Sequence, residues 1–396
     1  MAMYERTWYR IASCMLVMLA GIGLVRYAYS PLIPSMLDHH WITAAEAGYI
    51  GTFNFIGNMI GAVFCALLAR RFTAGRICRL AMLIGLASVA ASAFDFGFMW
   101  LASCRFMAGL TAAGAMILAP VIAVSGVSQA NRSTYIGYVF VGAGAGVIGL
   151  SLMLPLFLSD GPAGGWWFTA ALVLVCTIFS WAGTSPRIAT DRPMAGDSDV
   201  VAPRRTMWIF FLSYVLAAIG IVPHSIYLSA YIHQVLHQPL GFSTMVYAIY
   251  GAGVLVGGPI FGGILARLFT TRIAQVMTGL TCLGAVLIVL STTSLWFVVA
   301  SGAILGAAQM GVATCATHRT MELVGPANHT KWWGRITIGF NIGQAIGAFG
   351  MGLMIHIGWG YIAGFWMAAI CLLLSTVLSC LVRLPRTSPA QTGTTS

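Results

Sequence analysis

Acidic side chains are nearly missing from this sequence. Its 396 residues hold nine Asp and Glu against twenty Lys and Arg, and only 7% are charged at all. A soluble globular chain is about 25% charged, so that class is excluded. The chain also lacks any cysteine spacing that would make a metal site or a disulfide framework. All nine cysteines (Cys14, Cys65, Cys78, Cys104, Cys176, Cys282, Cys315, Cys371 and Cys380) fall in or at the ends of apolar runs. Nucleotide loops, paired carboxylates and metal clusters are absent too, which makes an enzyme the least expected reading and implies no cofactor and no metal. What is present is apolar: 59% hydrophobic residues and a mean hydropathy of +0.89. This is the composition of an integral membrane protein. The basic excess then reads as a topology signal rather than as a nucleic-acid footprint.

Apolar runs long enough for a hydrocarbon layer of about 30 Å lie at 11 to 36, 47 to 69, 77 to 95, 98 to 125, 135 to 158 and 165 to 184. Six more lie at 207 to 232, 243 to 266, 273 to 292, 295 to 318, 333 to 355 and 359 to 382. The first carries Arg26 and no clean small-residue cleavage site, so it reads as a retained span rather than a signal peptide. Between the sixes, Pro186, Pro193, Pro203, three aspartates and four arginines mark a solvated connection. The expected organisation is an N-terminal six-helix half at 1–184, a linker at 185–206, a C-terminal half at 207–384 and a tail at 385–396.

Eighteen of the twenty basic residues fall on one side of these spans, and Asp38, Glu46, Asp95 and Asp160 fall at the opposite ends. The positive-inside rule makes the basic side cytoplasmic, with both termini and the linker. Two arginines, Arg26 and Arg105, stay within spans. The halves resemble each other at an offset of 197 residues: 61–73 and 258–270 share seven identities in thirteen positions. The overall expectation is an all-α membrane protein of twelve transmembrane helices arranged as two parallel six-helix repeats.

The stretch Gly21 to Pro34, GIGLVRYAYSPLIP, concentrates the unusual chemistry. A guanidinium near mid-bilayer costs about 2.5–3.5 kcal/mol even on a lenient scale, so it faces a cavity, a partner or a solute. Pro31 and Pro34 are expected to bend or break the helix just beyond it. Other spans stack polar groups on one face: Arg26, Tyr29 and Ser30 in the first, Asn54 and Asn58 in the second, His224, Tyr227 and Tyr231 in the seventh. Gln309 in the tenth and Thr337, Asn341 and Gln344 in the eleventh complete the set, while spans three, six, nine and twelve have no such groups in their interiors. At the 197 offset His224 aligns with Tyr27, which puts it at the depth of Arg26.

On these residues the whole chain resembles the major facilitator superfamily, and GIGLVRYAYSPLIP resembles the first helix of its YbfB/YjiJ-type branch. RFMAG at Arg105–Gly109 resembles the superfamily's Arg-x-x-x-Gly motif, whose arginine is associated with gating or proton transfer. ARRFTAGRICR after span two partly resembles the signature gating loop, carried here by Arg70, Arg71 and Arg76 but without the usual aspartate. The resemblance implies a multi-pass protein of a bacterial cytoplasmic (inner) membrane, both termini inside, with a solute site between the halves.

The expected function is secondary transport of a small organic solute, more readily an anion, by alternating access. Arginine suits carboxylate or phosphate. Candidate solute contacts are Arg26, Tyr29, Asn54, Arg105, His224, Tyr227, Gln309, Asn341 and Gln344, and candidate proton carriers are His224, Asp38 and Glu46. Competing readings are export of apolar drugs or metabolites, and a non-transporting sensor with the same shape. For each arginine the plain alternative is a tether to neighbouring carbonyls, and for the Asn and Gln side chains it is interhelical hydrogen bonding.

Overall fold

The structure is a computed structural model that describes residues 2–159, 161–185, 202–257, 260–261, 268, 270–291 and 294–382. Most of the expected linker, the tail at 385–396 and Asp160 lie outside the described residues. Twelve helices are long and apolar enough to cross a membrane. Spans one to six are Thr7–Asp38, Ala44–Leu68, Ala74–Ala91, Phe98–Ala123, Thr134–Phe157 and Pro162–Ser180. Spans seven to twelve are Arg204–Gln234, Leu240–Gly257, Thr271–Leu290, Leu295–Gly325, Lys331–His356 and Gly360–Leu381. No strand occurs among the described residues.

Local chemistry sets several of these limits. Span two starts at a capping box in which Glu46 N–H donates to the Thr43 hydroxyl and Thr43 N–H donates to the Glu46 carboxylate at 2.7 Å. Span six starts with Pro162 directly after Gly161, whose φ of 98° suits glycine. Spans ten and eleven run on as helix from Leu295 to His356, broken at Gly325, where φ is 70°.

Glycine sets the packing inside each half. A Cβ on Gly57, Gly61 or Gly109 would lie within 2.3 Å of the carbonyls of Phe106, Leu110 and Asn54, so spans two and four touch backbone to backbone. Gly253, Gly257 and Gly306 make the same contacts with Ala303, Ala307 and Tyr250 between spans eight and ten. The repeat is therefore visible in packing, with one change. Phe106 and Ala303 are 197 apart, but Gly57 and Gly253, like Gly61 and Gly257, are 196 apart. Spans one and seven behave likewise: Gly146 faces the carbonyl of Leu19 and Gly343 that of Val215, again 196 apart. Leu80 and Leu83, Ile178 and Phe179, Leu280 and Leu287, and Leu374 and Val377 are exposed on spans three, six, nine and twelve. These are the faces a bilayer would cover.

Candidate functional site

Span one is not a uniform helix. It is α-helical to Met18, widens into a π-helix at Leu19–Arg26, turns at Tyr27 and Ala28, and resumes as α-helix at Tyr29–Asp38. The Tyr27 N–H reaches back to Ile22, at 3.2 Å, instead of to the carbonyl four residues earlier. The irregularity precedes Pro31 rather than following it. Pro31 has no N–H to offer the Tyr27 carbonyl, and its ring crowds that same carbonyl, so the distortion falls one turn upstream. Wide turns of this kind recur at functional sites.

Arg26 ends the wide turn and enters a narrow cavity of about 30 Å³. Arg26, Tyr27, Tyr29, Ser30, Asn54 and Phe55 line it from one half, and Ser225, Gln309 and Gln344 from the other. The Arg26 Nη2 donates to Gln344 Oε1 at 3.1 Å. Its guanidinium lies 5.3 Å from the Phe55 ring centroid and 5.9 Å from that of Tyr27. Among the described residues no carboxylate comes within ion-pair distance of it. Gln309 donates to the Tyr27 hydroxyl at 3.0 Å and accepts from the Tyr250 hydroxyl.

Arg105 borders the cavity but is only 1% exposed. Its Nη1 donates to the Val25 carbonyl at 2.9 Å, its Nη2 donates to Ser92 Oγ at 2.9 Å, and its guanidinium lies 4.6 Å from the Trp166 ring centroid. Asn54 donates to the Arg105 carbonyl at 3.0 Å, and Asn58 to that of Gly109 at 3.5 Å. Arg105 thus holds the wide turn of span one in place, with Asn54 bracing it.

The remaining candidates divide. Tyr29 lines the cavity while donating to the Ala47 carbonyl at 2.9 Å. Tyr227 donates across the halves to the Ala44 carbonyl at 2.8 Å, and Asn341 donates to Thr337 in its own helix at 3.1 Å; neither lines the cavity. His224 is fully buried away from Arg26, its Nε2 3.3 Å from Ser301 Oγ and its ring 5.9 Å from Phe365. Ser301 gives its own proton to the Ala285 carbonyl at 2.5 Å, so His224 donates from Nε2 and its Nδ1 has no partner. Glu46 is occupied by the capping box, and Asp38 contacts His233 at 2.8 Å. Arg70, Arg71 and Arg76 are exposed at the linker end. Arg79, three residues past Arg76, does dock, donating to the Trp181 carbonyl with its guanidinium 4.6 Å from that ring's centroid. Tyr27, Tyr250 and His233 were not among the candidates drawn from the sequence, although a hydroxyl inside an apolar run carries the same signal as Asn or Gln.

Hydrogen bonds that join the halves include Arg26 to Gln344, Gln309 to Tyr27, Thr52 to Ala345, Tyr227 to Ala44 and His233 to Asp38. They lie at the cavity or between it and the Asp38 end. Tyr49 and Phe349, ring centroids 5.3 Å apart, add to that closure.

Residues 18–380 match the family described as "Uncharacterised MFS-type transporter YbfB". The chain is 22% identical over 364 residues to AraJ of Escherichia coli (strain K12), covering 86% of each. It is 24% identical to the inner membrane transport protein YdhP of Escherichia coli O157:H7, covering 89% of this chain and 92% of that one. The niacin transporter NiaP of Acinetobacter baylyi is 34% identical over 97 residues, 24% of this chain and 21% of that one. Among solved structures, a point mutant of the nucleoside transporter NupG aligns with a TM-score of 0.77 at 13% identity, over 94% of this chain and 98% of that one. A bacterial homologue of the human lysosomal transporter Spinster, inward-facing and unoccupied, aligns with a TM-score of 0.70 at 15% identity, over 95% and 94%. At these identities the structures show the shared fold alone.

Proposed function

The chain belongs to the MFS-type transporter family, and from that premise we propose that it moves a small organic anion by alternating access. The observation that carries this reading is Arg26, a cation inside a span that faces a cavity and has only neutral partners, Gln344 among them. Leaving a guanidinium there unpaired is costly, and a carboxylate or phosphate bound by both arms of the fork would offset that cost. The cavity is too narrow for an organic solute as it stands, so binding requires the halves to part. Opening would free the Arg26–Gln344 and Tyr27–Gln309 contacts, whose groups would then turn to the solute.

The halves, 1–184 and 207–384, move as two bodies in this reading. The basic side is cytoplasmic, which puts both termini inside and makes the Asp38 end the closed outer face. Uptake into vesicles holding the purified protein tests the proposal, with carboxylates including niacin, phosphate monoesters, and uncharged nucleosides as the contrast. Saturable uptake of an anion, lost in Arg26→Ala, is expected. Preference for uncharged solutes, or full anion uptake in Arg26→Ala, would overturn it.

A further inference from the structure

The contact between Asp38 and His233 fixes a proton count. His233 Nδ1 lies 2.7 Å from the Gln238 carbonyl, and Nε2 lies 2.8 Å from Asp38 Oδ2. A carbonyl can only accept, so Nδ1 must carry a hydrogen. A neutral imidazole would then turn the Nε2 lone pair against an ionised carboxylate, two acceptors face to face. The contact is attractive only with one more proton, held by the imidazolium or by the carboxyl. Either assignment gives the closed pair one proton that the separated groups do not need.

The pair also stands where a proton would matter mechanically. Asp38 closes span one and His233 lies in the last turn of span seven, so the contact joins the two halves beyond the cavity, on the Asp38 side. It is open to solvent there: the two side chains are 43% and 21% exposed, and a crevice lined by Asp38, His233, Gln234, His237, Gln238 and Pro239 surrounds them. Four other titratable groups lie nearby. His237 lines the same crevice, His39 gives Nδ1 to the Ser35 carbonyl at 2.9 Å, His40 follows it in the chain, and Glu46 is held by Thr43. No Lys or Arg lines that crevice.

We propose that Asp38 and His233 form a proton site that latches the Asp38 end of the bundle shut, so that protonation from that side favours the closed state and deprotonation favours opening. The latch rests on the transporter reading for its purpose but not for its detection. As a solvent-exposed pair it biases the equilibrium by roughly fivefold at most, enough to tilt a nearly balanced gate and not enough to lock it.

Thr52 reports the gate, since its hydroxyl lies 3.4 Å from the Ala345 carbonyl across the halves. Thr52→Cys would be labelled with a membrane-impermeant maleimide from the Asp38 side at pH values from about 5 to 8, the range over which histidine changes charge. The chain without that cysteine supplies the background. Each rate is divided by the rate for the same cysteine in His233→Gln, which cancels the pH dependence of the thiol. The normalised rate should fall roughly two- to fivefold as pH drops. Asp38→Asn, which keeps the shape of the side chain, should abolish that fall. A normalised rate that stays flat with pH, or a fall that survives in Asp38→Asn, overturns the latch. Because labelling reads the gate and not flux, a chain that moved no anion would still show the latch, and failure of the two readings is told apart.

Discussion

Arg105 donates to the carbonyl of Val25, the residue immediately before Arg26, across 2.9 Å. The motif arginine of span four thus acts on the arginine of span one through its backbone. One cation is spent on structure so that the other stays available in the cavity. Hydrogen bonds to charged groups contribute about 1.5–3 kcal/mol each.

Arg105→Lys keeps the charge but cannot serve Val25 and Ser92 together from a planar fork. The expected outcome is a lower thermal midpoint and a raised KM for uptake. Unchanged KM with unchanged midpoint would remove Arg105 from its positioning role.

Arg26→Lys separates charge from geometry at the cavity itself. Losing one charge-assisted hydrogen bond of the fork should lower kcat/KM roughly 10- to 100-fold, with normal expression. Parity with the parent would mean that a point charge suffices.

His224 sits in a dry contact with Ser301 and Phe365, so His224→Gln, which retains a donor near the Nε2 position, should leave the pH dependence of uptake intact. The pH profile is expected to move with His233 instead. A profile flattened by His224→Gln alone, with His233 in place, would return the proton to the buried histidine.

Gly109→Ala puts a methyl 1.9 Å from the Asn54 carbonyl. Backbone cannot yield there as a flexible side chain would, so spans two and four must separate, at about 1–3 kcal/mol. A clear drop in thermal midpoint is expected, and Gly149→Ala, with nothing within 4 Å of the added atom, serves as the neutral control.

The twelve spans, the repeat and Arg26 were legible because length, apolarity and a stray charge are local properties of a sequence. Facing was not. A shift of one residue turns a helix position by about 100°, and the 196-residue spacing of Leu19 and Val215, against 197 for Gly146 and Gly343, is such a shift. His224, which the 197 offset puts at the depth of Arg26, is held instead against Ser301 and Phe365 in its own half. The partner of Arg26, Gln344, lies 318 residues away, and nothing in either neighbourhood specifies their meeting. Arg105 and Asn54 show the opposite case: their residue types were noted, but whether they grip backbone or face a cavity depends on which carbonyls the glycines of spans two and four bring close.

The wide turn at Leu19–Arg26 also bears on chain length. A turn closed five residues back holds about one residue more than an ordinary turn, which takes about 3.6. Removing a residue inside this segment would let it close as α-helix while the faces of Cys14 and Ser30 stayed where they are. The same deletion elsewhere in span one would swing everything after it by about 100°. The first span therefore stores a spare residue, and length variation among related chains would be absorbed there, at the cost of the altered backbone that Arg105 now grips.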